Sequence, residues 1–121
     1  MNLTKSAGIA ALFLVIFLSG FGLHRAGKPY HTLLFTLHKL ISLGALVWML
    51  VTAARAHRAE PLSGPVWSLV IAAAVFFVAT IASGGLVSLE KPAPALIARA
   101  HKLLPYITAA SSAAAWFFLA R

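Results

Sequence analysis

Four long apolar runs divide this chain into segments of the length that a helix needs to cross a lipid bilayer. About 20 residues of α-helix cover the ~30 Å hydrocarbon core. No water is available there to satisfy backbone N–H and C=O groups, so each run is predicted to be α-helical. Short connections rich in Gly and Pro join the runs, which predicts an all-α transmembrane four-helix bundle with antiparallel neighbours. The predicted helices lie at about 7–23, 33–54, 66–86 and 96–119.

The composition agrees with a membrane protein. Of the 121 residues, 61% are hydrophobic and only 10% are charged, which is too few charges to cover a soluble domain of this length. The net charge is +8, and the basic residues cluster where apolar runs end, as they do when they meet lipid headgroups. Nothing in this pattern favours nucleic acid as a partner. Cysteine is absent, which excludes disulfides, thiolate-bound zinc, iron–sulfur clusters and the CxxCH attachment of c-type haem.

An internal repeat relates the two halves of the chain. His38-Lys39-Leu40 recurs 63 residues later as His101-Lys102-Leu103, and the same ungapped shift places Lys28-Pro29 on Lys91-Pro92. Two helices per repeat is an even number, so the halves share one orientation in the membrane. The first run alone also fits a signal peptide, but its counterpart in the second half favours a retained helix. We expect a single membrane domain, residues 1–121, built from tandem helix-hairpin repeats at about 7–58 and 70–121.

The repeated histidine is the strongest functional signal. Histidine and lysine are costly inside a membrane, so two copies at matching depth indicate a function. Helices 2 and 4 would run in parallel and place the two imidazoles at one level, which suits bis-histidine ligation of one non-covalent haem by His38 and His101. Glycines near the ends of helices 1 and 3 would let the backbone approach the macrocycle or, alternatively, pack helices closely. These glycines are Gly20, Gly22, Gly84 and Gly85.

Polar and basic residues surround the same end of the predicted bundle. Haem propionates are anionic, and cationic side chains there could pair with them; the alternative is that these chains extend to lipid headgroups. His31 lies seven residues before His38 on the same helix face, within reach of a propionate, a proton path or a quinone headgroup. His24, His31 and His57 have no histidine counterparts in the repeat, so one haem per chain is predicted. The complete set is Arg25, Lys28, Lys39, Lys91, Arg99, Lys102, Tyr30 and His31.

His38 and His101, on the second and fourth helices, resemble the haem ligands of small four-helix b-type cytochromes of bacterial membranes. That group includes cytochrome b561-like proteins and the haem-binding anchor subunits of respiratory oxidoreductases. The resemblance implies haem b as the cofactor and a multi-pass protein of the bacterial inner membrane. It also implies electron transfer to or from a quinone, a second cytochrome or a larger complex, rather than a stand-alone enzyme. Many b561-type proteins bind two haems with four ligands, and this chain has one histidine pair.

Two other classes of function fit the residues. A small proton or ion transporter could use His38 and His101 as relay or binding groups, although the chain has only two acidic residues, both in loops. A structural or assembly subunit would instead satisfy its histidines internally. Motifs of soluble catalysis, such as GxSxG or a phosphate-binding glycine loop, do not occur. Bands of Ala and Gly suit packing within one chain and packing in a homo-oligomer equally well.

Overall fold

The computed structural model describes residues 3–89 and 91–119, and these form four α-helices. No strand occurs within those ranges, so the expected all-α class is confirmed. Residues 1–2, Glu90 and residues 120–121, the last two of the second predicted repeat, lie outside the described ranges. The helices are α1 (Leu3–Ala26), α2 (Thr32–Ala59), α3 (Gly64–Val87) and α4 (Ala95–Leu119).

Local sequence signals explain where two of these helices end and begin. After α1, Gly27 has a φ of 72°, a left-handed conformation that favours glycine, and its N–H donates to the Leu23 carbonyl at 3.0 Å. Before α3, the Ser63 hydroxyl accepts the Val66 N–H at 3.4 Å, and Pro65 occupies the first turn, where its missing N–H costs nothing. The helix ends that these residues indicate in the sequence are therefore set by backbone hydrogen bonding.

Three helices, α1, α2 and α3, are long and apolar enough to cross a membrane. Large apolar side chains such as Phe21, Ile71 and Val75 are more than half exposed, which is unusual for a protein in water and expected for one in lipid. These features indicate a membrane protein. Within its described residues, α4 has the length but not the apolar content of the other three, because its first half carries Arg99 and Lys102.

The chain forms two compact units, residues 1–47 and 48–121. The first contains α1 and the beginning of α2, and the second contains the rest of α2 with α3 and α4. In the second unit, α3 and α4 pack against each other as an antiparallel pair. Small buried residues such as Ala73, Ser112 and Ala115 allow the two helices to approach closely, beside the larger buried Phe77 and Trp116.

Candidate functional site

His38 lies on α2, with its imidazole against α1. Its Nδ1 is 2.8 Å from the hydroxyl of Ser19, a residue that is itself buried. The same hydroxyl lies 3.0 Å from the Ile16 carbonyl, to which it can donate its single proton. With the proton donated there, the Ser19 oxygen accepts from the Nδ1–H of His38. This partner set assigns neutral His38 the tautomer with its proton on Nδ1 and its lone pair on Nε2.

His101 is held in the same way between α4 and α3. Its Nδ1 is 3.0 Å from the Ser83 hydroxyl and 3.1 Å from the Thr80 carbonyl. The Ser83 hydroxyl donates its own proton to that carbonyl at 2.9 Å. Since a carbonyl only accepts, Nδ1 of His101 carries the proton and Nε2 carries the lone pair. We call His38 and His101 the histidine pair, and each histidine with its serine and glycine a histidine cluster.

A glycine follows each of these serines and lets the imidazole lie directly against the helix backbone. A Cβ at Gly20 would be 2.9 Å from Cε1 of His38, and one at Gly84 would be 2.7 Å from Cε1 of His101. Real Cβ contacts are longer than this, so any side chain here would displace the ring. The other two predicted glycines are not brought to the histidines. A Cβ at Gly22 would make only an ordinary contact with Leu34, and nothing described lies within 4 Å of one at Gly85.

The two clusters differ by one residue in their spacing. The histidines are 63 residues apart, whereas the Ser-Gly dipeptides that contact them, Ser19-Gly20 and Ser83-Gly84, are 64 apart. An ungapped shift of 63 pairs Gly22 with Gly85 and so does not reveal Ser19 and Ser83 as partners of the histidines. One sequence feature does indicate these partners: a Ser-Gly dipeptide lies near the end of each helix that precedes a histidine-bearing helix.

The clusters also differ one helical turn beyond each histidine. On α2, the Ser42 hydroxyl donates to the His38 carbonyl at 2.7 Å. On α4, the residue at the same offset is Pro105, which lies inside the helix and has no N–H to donate to the His101 carbonyl. The backbone around His101 is therefore the less restrained of the two.

The histidine pair fits metal ligation through Nε2. A ligating histidine usually donates its other ring N–H to an oxygen acceptor, which fixes the tautomer and the ring orientation, and both histidines do so here. Two protein ligands are too few for a zinc site, and among the described residues no three His, Asp or Glu side chains gather. An imidazole with its lone pair on Nε2 is also the form that can ligate a haem iron.

The basic residues predicted around the site are all exposed. Two of them lie over aromatic rings: Nζ of Lys39 is 4.8 Å from the ring centroid of Phe35, and Cζ of Arg25 is 5.9 Å from that of Phe21. Tyr30 stacks on Phe35 with 5.5 Å between ring centroids. Such exposure suits contact with lipid headgroups or with the propionates of a bound haem. The other exposed basic positions are Lys28, Lys91, Arg99 and Lys102.

His31 caps the helix that carries His38. It immediately precedes α2, and its Nδ1 accepts the N–H of Leu34 at 3.4 Å, while its carbonyl accepts the N–H of Phe35. The imidazole thus satisfies one of the N–H groups that a helix leaves unpaired at its first turn. Sequence reasoning placed His31 near a propionate or quinone and missed this capping role.

His57 closes the turn between α2 and α3. Its Nδ1 accepts the N–H of Leu62 at 3.1 Å and the indole N–H of Trp67 at 3.3 Å, and the two rings meet edge to face. An accepting Nδ1 puts the proton of the neutral ring on Nε2. His31 and His57 therefore share a tautomer opposite to that of the histidine pair, and it is not the one that ligates a metal through Nε2.

Comparison of the chain with protein-family models, curated proteins and solved structures finds no match in any of the three. What the chain does must therefore be argued from its apolar helices and the chemistry of its two histidine clusters.

Proposed function

We propose that this chain is a membrane b-type cytochrome in which His38 and His101 ligate one haem iron through Nε2. The observation that carries the proposal is the matched hydrogen bonding of the histidine pair: each Nδ1–H is directed to a buried serine oxygen on the neighbouring helix. Bound haem b would supply one-electron oxidation and reduction.

The surrounding residues would orient the ligands. Ser19 and Ser83 hold the two rings at Nδ1, and Gly20 and Gly84 give the rings room against the backbone. An Nδ1–H that is hydrogen-bonded to an acceptor makes the imidazole a more basic ligand, which favours the ferric state of the iron. His101 has the additional acceptor of the Thr80 carbonyl.

The proposal includes a specific membrane arrangement. It requires α4 to cross the membrane beside the three more apolar helices, so that two tandem hairpins place the histidine pair at one level. The protein would be multi-pass, in a bacterial inner membrane, and would exchange electrons with a quinone, a second cytochrome or a larger respiratory complex. The exposed basic residues would pair with haem propionates and lipid headgroups.

A small proton or ion transporter is the second candidate. The observation that favours it is the run of hydroxyl groups on the buried sides of α3 and α4, which includes Thr80, Thr108 and Ser112. Polar interiors of this kind line ion and proton routes in membrane proteins. In that alternative, the histidine pair would act as relay or binding groups without haem.

Optical absorption of the purified 121-residue chain separates the two candidates. We expect a b-type Soret band and, after reduction with dithionite, a sharp α band, with one haem per chain by the pyridine haemochrome assay. A folded, colourless protein that also fails to bind added haemin would contradict the cytochrome proposal and favour the transporter.

A further inference from the structure

Ser112 of α4 is fully buried, yet its hydroxyl has no hydrogen-bond partner among the described residues. A buried polar group without a partner is uncommon, because nothing compensates for the lost contact with water. A serine within a helix normally bonds to the carbonyl four residues earlier. For Ser112 that is the Thr108 carbonyl, which already accepts the Ser111 hydroxyl at 3.2 Å.

Next to Ser112, the hydroxyls of Thr108 and Thr80 form a hydrogen-bonded chain that ends at the Phe76 carbonyl. The Thr80 hydroxyl lies 2.7 Å from the Phe76 carbonyl and can donate its single proton there, which leaves its oxygen to accept in the 2.8 Å bond with the Thr108 hydroxyl. Thr108 is therefore the donor there, and its oxygen keeps acceptor capacity. Ser112, one turn further along the same face of α4, has a hydroxyl proton for which the described residues offer no acceptor.

The spacing of these two groups suits one water molecule. Residues four apart on a helix have Cβ atoms about 5–6 Å apart. Two hydrogen bonds of ~2.8 Å through a water oxygen cover that span. The antiparallel register set by Thr80 and Thr108 also brings residues 73–77 of α3 level with Ser112, and Ala73 there is fully buried and small.

We propose that Ser112 and Thr108 bind one internal water molecule, which accepts from Ser112 and donates to Thr108. The water completes a chain of donors that runs from Ser112 through Thr108 to Thr80. Thr80 also uses its carbonyl to accept the Nδ1–H of His101, so the same residue ends the hydroxyl chain and orients the imidazole. Internal waters of this kind satisfy buried polar groups and are costly to remove.

Among the described residues, the positions of α2 that match Thr108 and Ser112 carry no hydroxyl groups. The residues at the same offsets from His38 on α2 are Ala45 and Met49, both buried and neither with a hydroxyl. These two positions of α2 therefore offer no pair of hydroxyls that could bind an equivalent water.

Thermal unfolding of the full chain in detergent micelles tests this through a matched pair of variants. S112A removes the water's donor and should lower the unfolding midpoint by a few degrees. S111A removes a hydroxyl that bonds only to carbonyls of its own helix and should leave the midpoint nearly unchanged. A midpoint of S112A that equals or exceeds that of the unsubstituted chain would overturn the proposal, because removing a hydroxyl with no partner should not destabilise the protein.

A double-mutant cycle with Thr108 locates the partner. The effect of S112A should disappear in a T108V background and persist in a T108S background, which keeps the hydroxyl. An undiminished effect of S112A in T108V would place the partner of Ser112 elsewhere and overturn the assignment. Both measurements use the protein without added haemin, so they stand or fall separately from the haem proposal.

Discussion

Alanine at Gly84 is expected to displace the imidazole of His101 and weaken haem binding. The new Cβ would lie 2.7 Å from Cε1, whereas ordinary contact begins at 3.4 Å, so ring and backbone must separate by about 0.7 Å. Ser83 and the Thr80 carbonyl hold Nδ1 of the same ring. Metal–ligand distances vary by only ~0.2 Å, so the ring cannot move this far and keep both its hydrogen bonds and the position of the haem ligand that we propose.

The size of the effect follows from the loss of ligand orientation. Perturbing the groups that orient a metal-bound histidine typically costs 10- to 100-fold in affinity, or about 1.4–2.8 kcal/mol. We therefore expect the Kd for haemin to rise about 10- to 100-fold in G84A. The adjacent G85A is the matched control, because nothing described lies within 4 Å of the added methyl group. Alanine there also favours the helix by roughly 0.5–1 kcal/mol, so its haem affinity should be unchanged and its stability equal or higher.

Titration of haemin into the apoprotein in micelles, followed at the Soret band, measures both variants. Helix α1 offers a second pair of variants, in which G20A should weaken binding and G22A should not, since their Cβ atoms would be 2.9 Å and 3.6 Å from the nearest side-chain atom. Wild-type affinity in G84A would refute the reasoning. An equal loss in G84A and G85A would do so too, because it would point to helix packing rather than to His101.

Two further variants test the roles assigned to neighbouring groups. S83A should raise the reduction potential by some tens of millivolts, because His101 loses one acceptor for its Nδ1–H and becomes a less basic ligand. A tenfold change in the ratio of the affinities for ferric and ferrous haem corresponds to 59 mV. Potentiometric titration checks this, and a lower or unchanged potential would contradict it. H57A should lower the unfolding midpoint while leaving the haem spectrum intact, since two N–H donors lose their acceptor in the α2–α3 turn, at about 1 kcal/mol in all. A loss of the Soret band in H57A would show that His57 belongs to the cofactor site.

The length and position of the helices follow from the sequence because apolar runs long enough for a bilayer leave the backbone little choice. The helices nevertheless extend beyond the runs. α1 begins at Leu3 rather than at residue 7, and α2 continues to Ala59 rather than ending at 54. Backbone hydrogen bonds continue past the apolar segment, and the loop residues decide where they stop.

The partners of the histidines were harder to foresee. Costly residues in apolar helices single out His38 and His101, and glycine near a ring can be anticipated, as Gly20 and Gly84 show. The hydroxyl that contacts each Nδ1 is determined by the rotation of the helices and by a one-residue difference in spacing. The sequence pattern therefore does not identify Ser19 and Ser83 as the partners of the histidines. The opposite tautomer of His57 follows from two N–H donors brought to it by the fold, and no sequence pattern records that.

The absorption spectrum of single-histidine variants tests the central claim most directly. H38A and H101A should each lose the b-type spectrum of two-histidine ligation, with altered Soret and α bands and weaker retention of haem. H31A and H57A, which remove imidazoles of the opposite tautomer, should keep it. An unaltered b-type spectrum in H38A or in H101A would contradict the assignment of that histidine as a ligand.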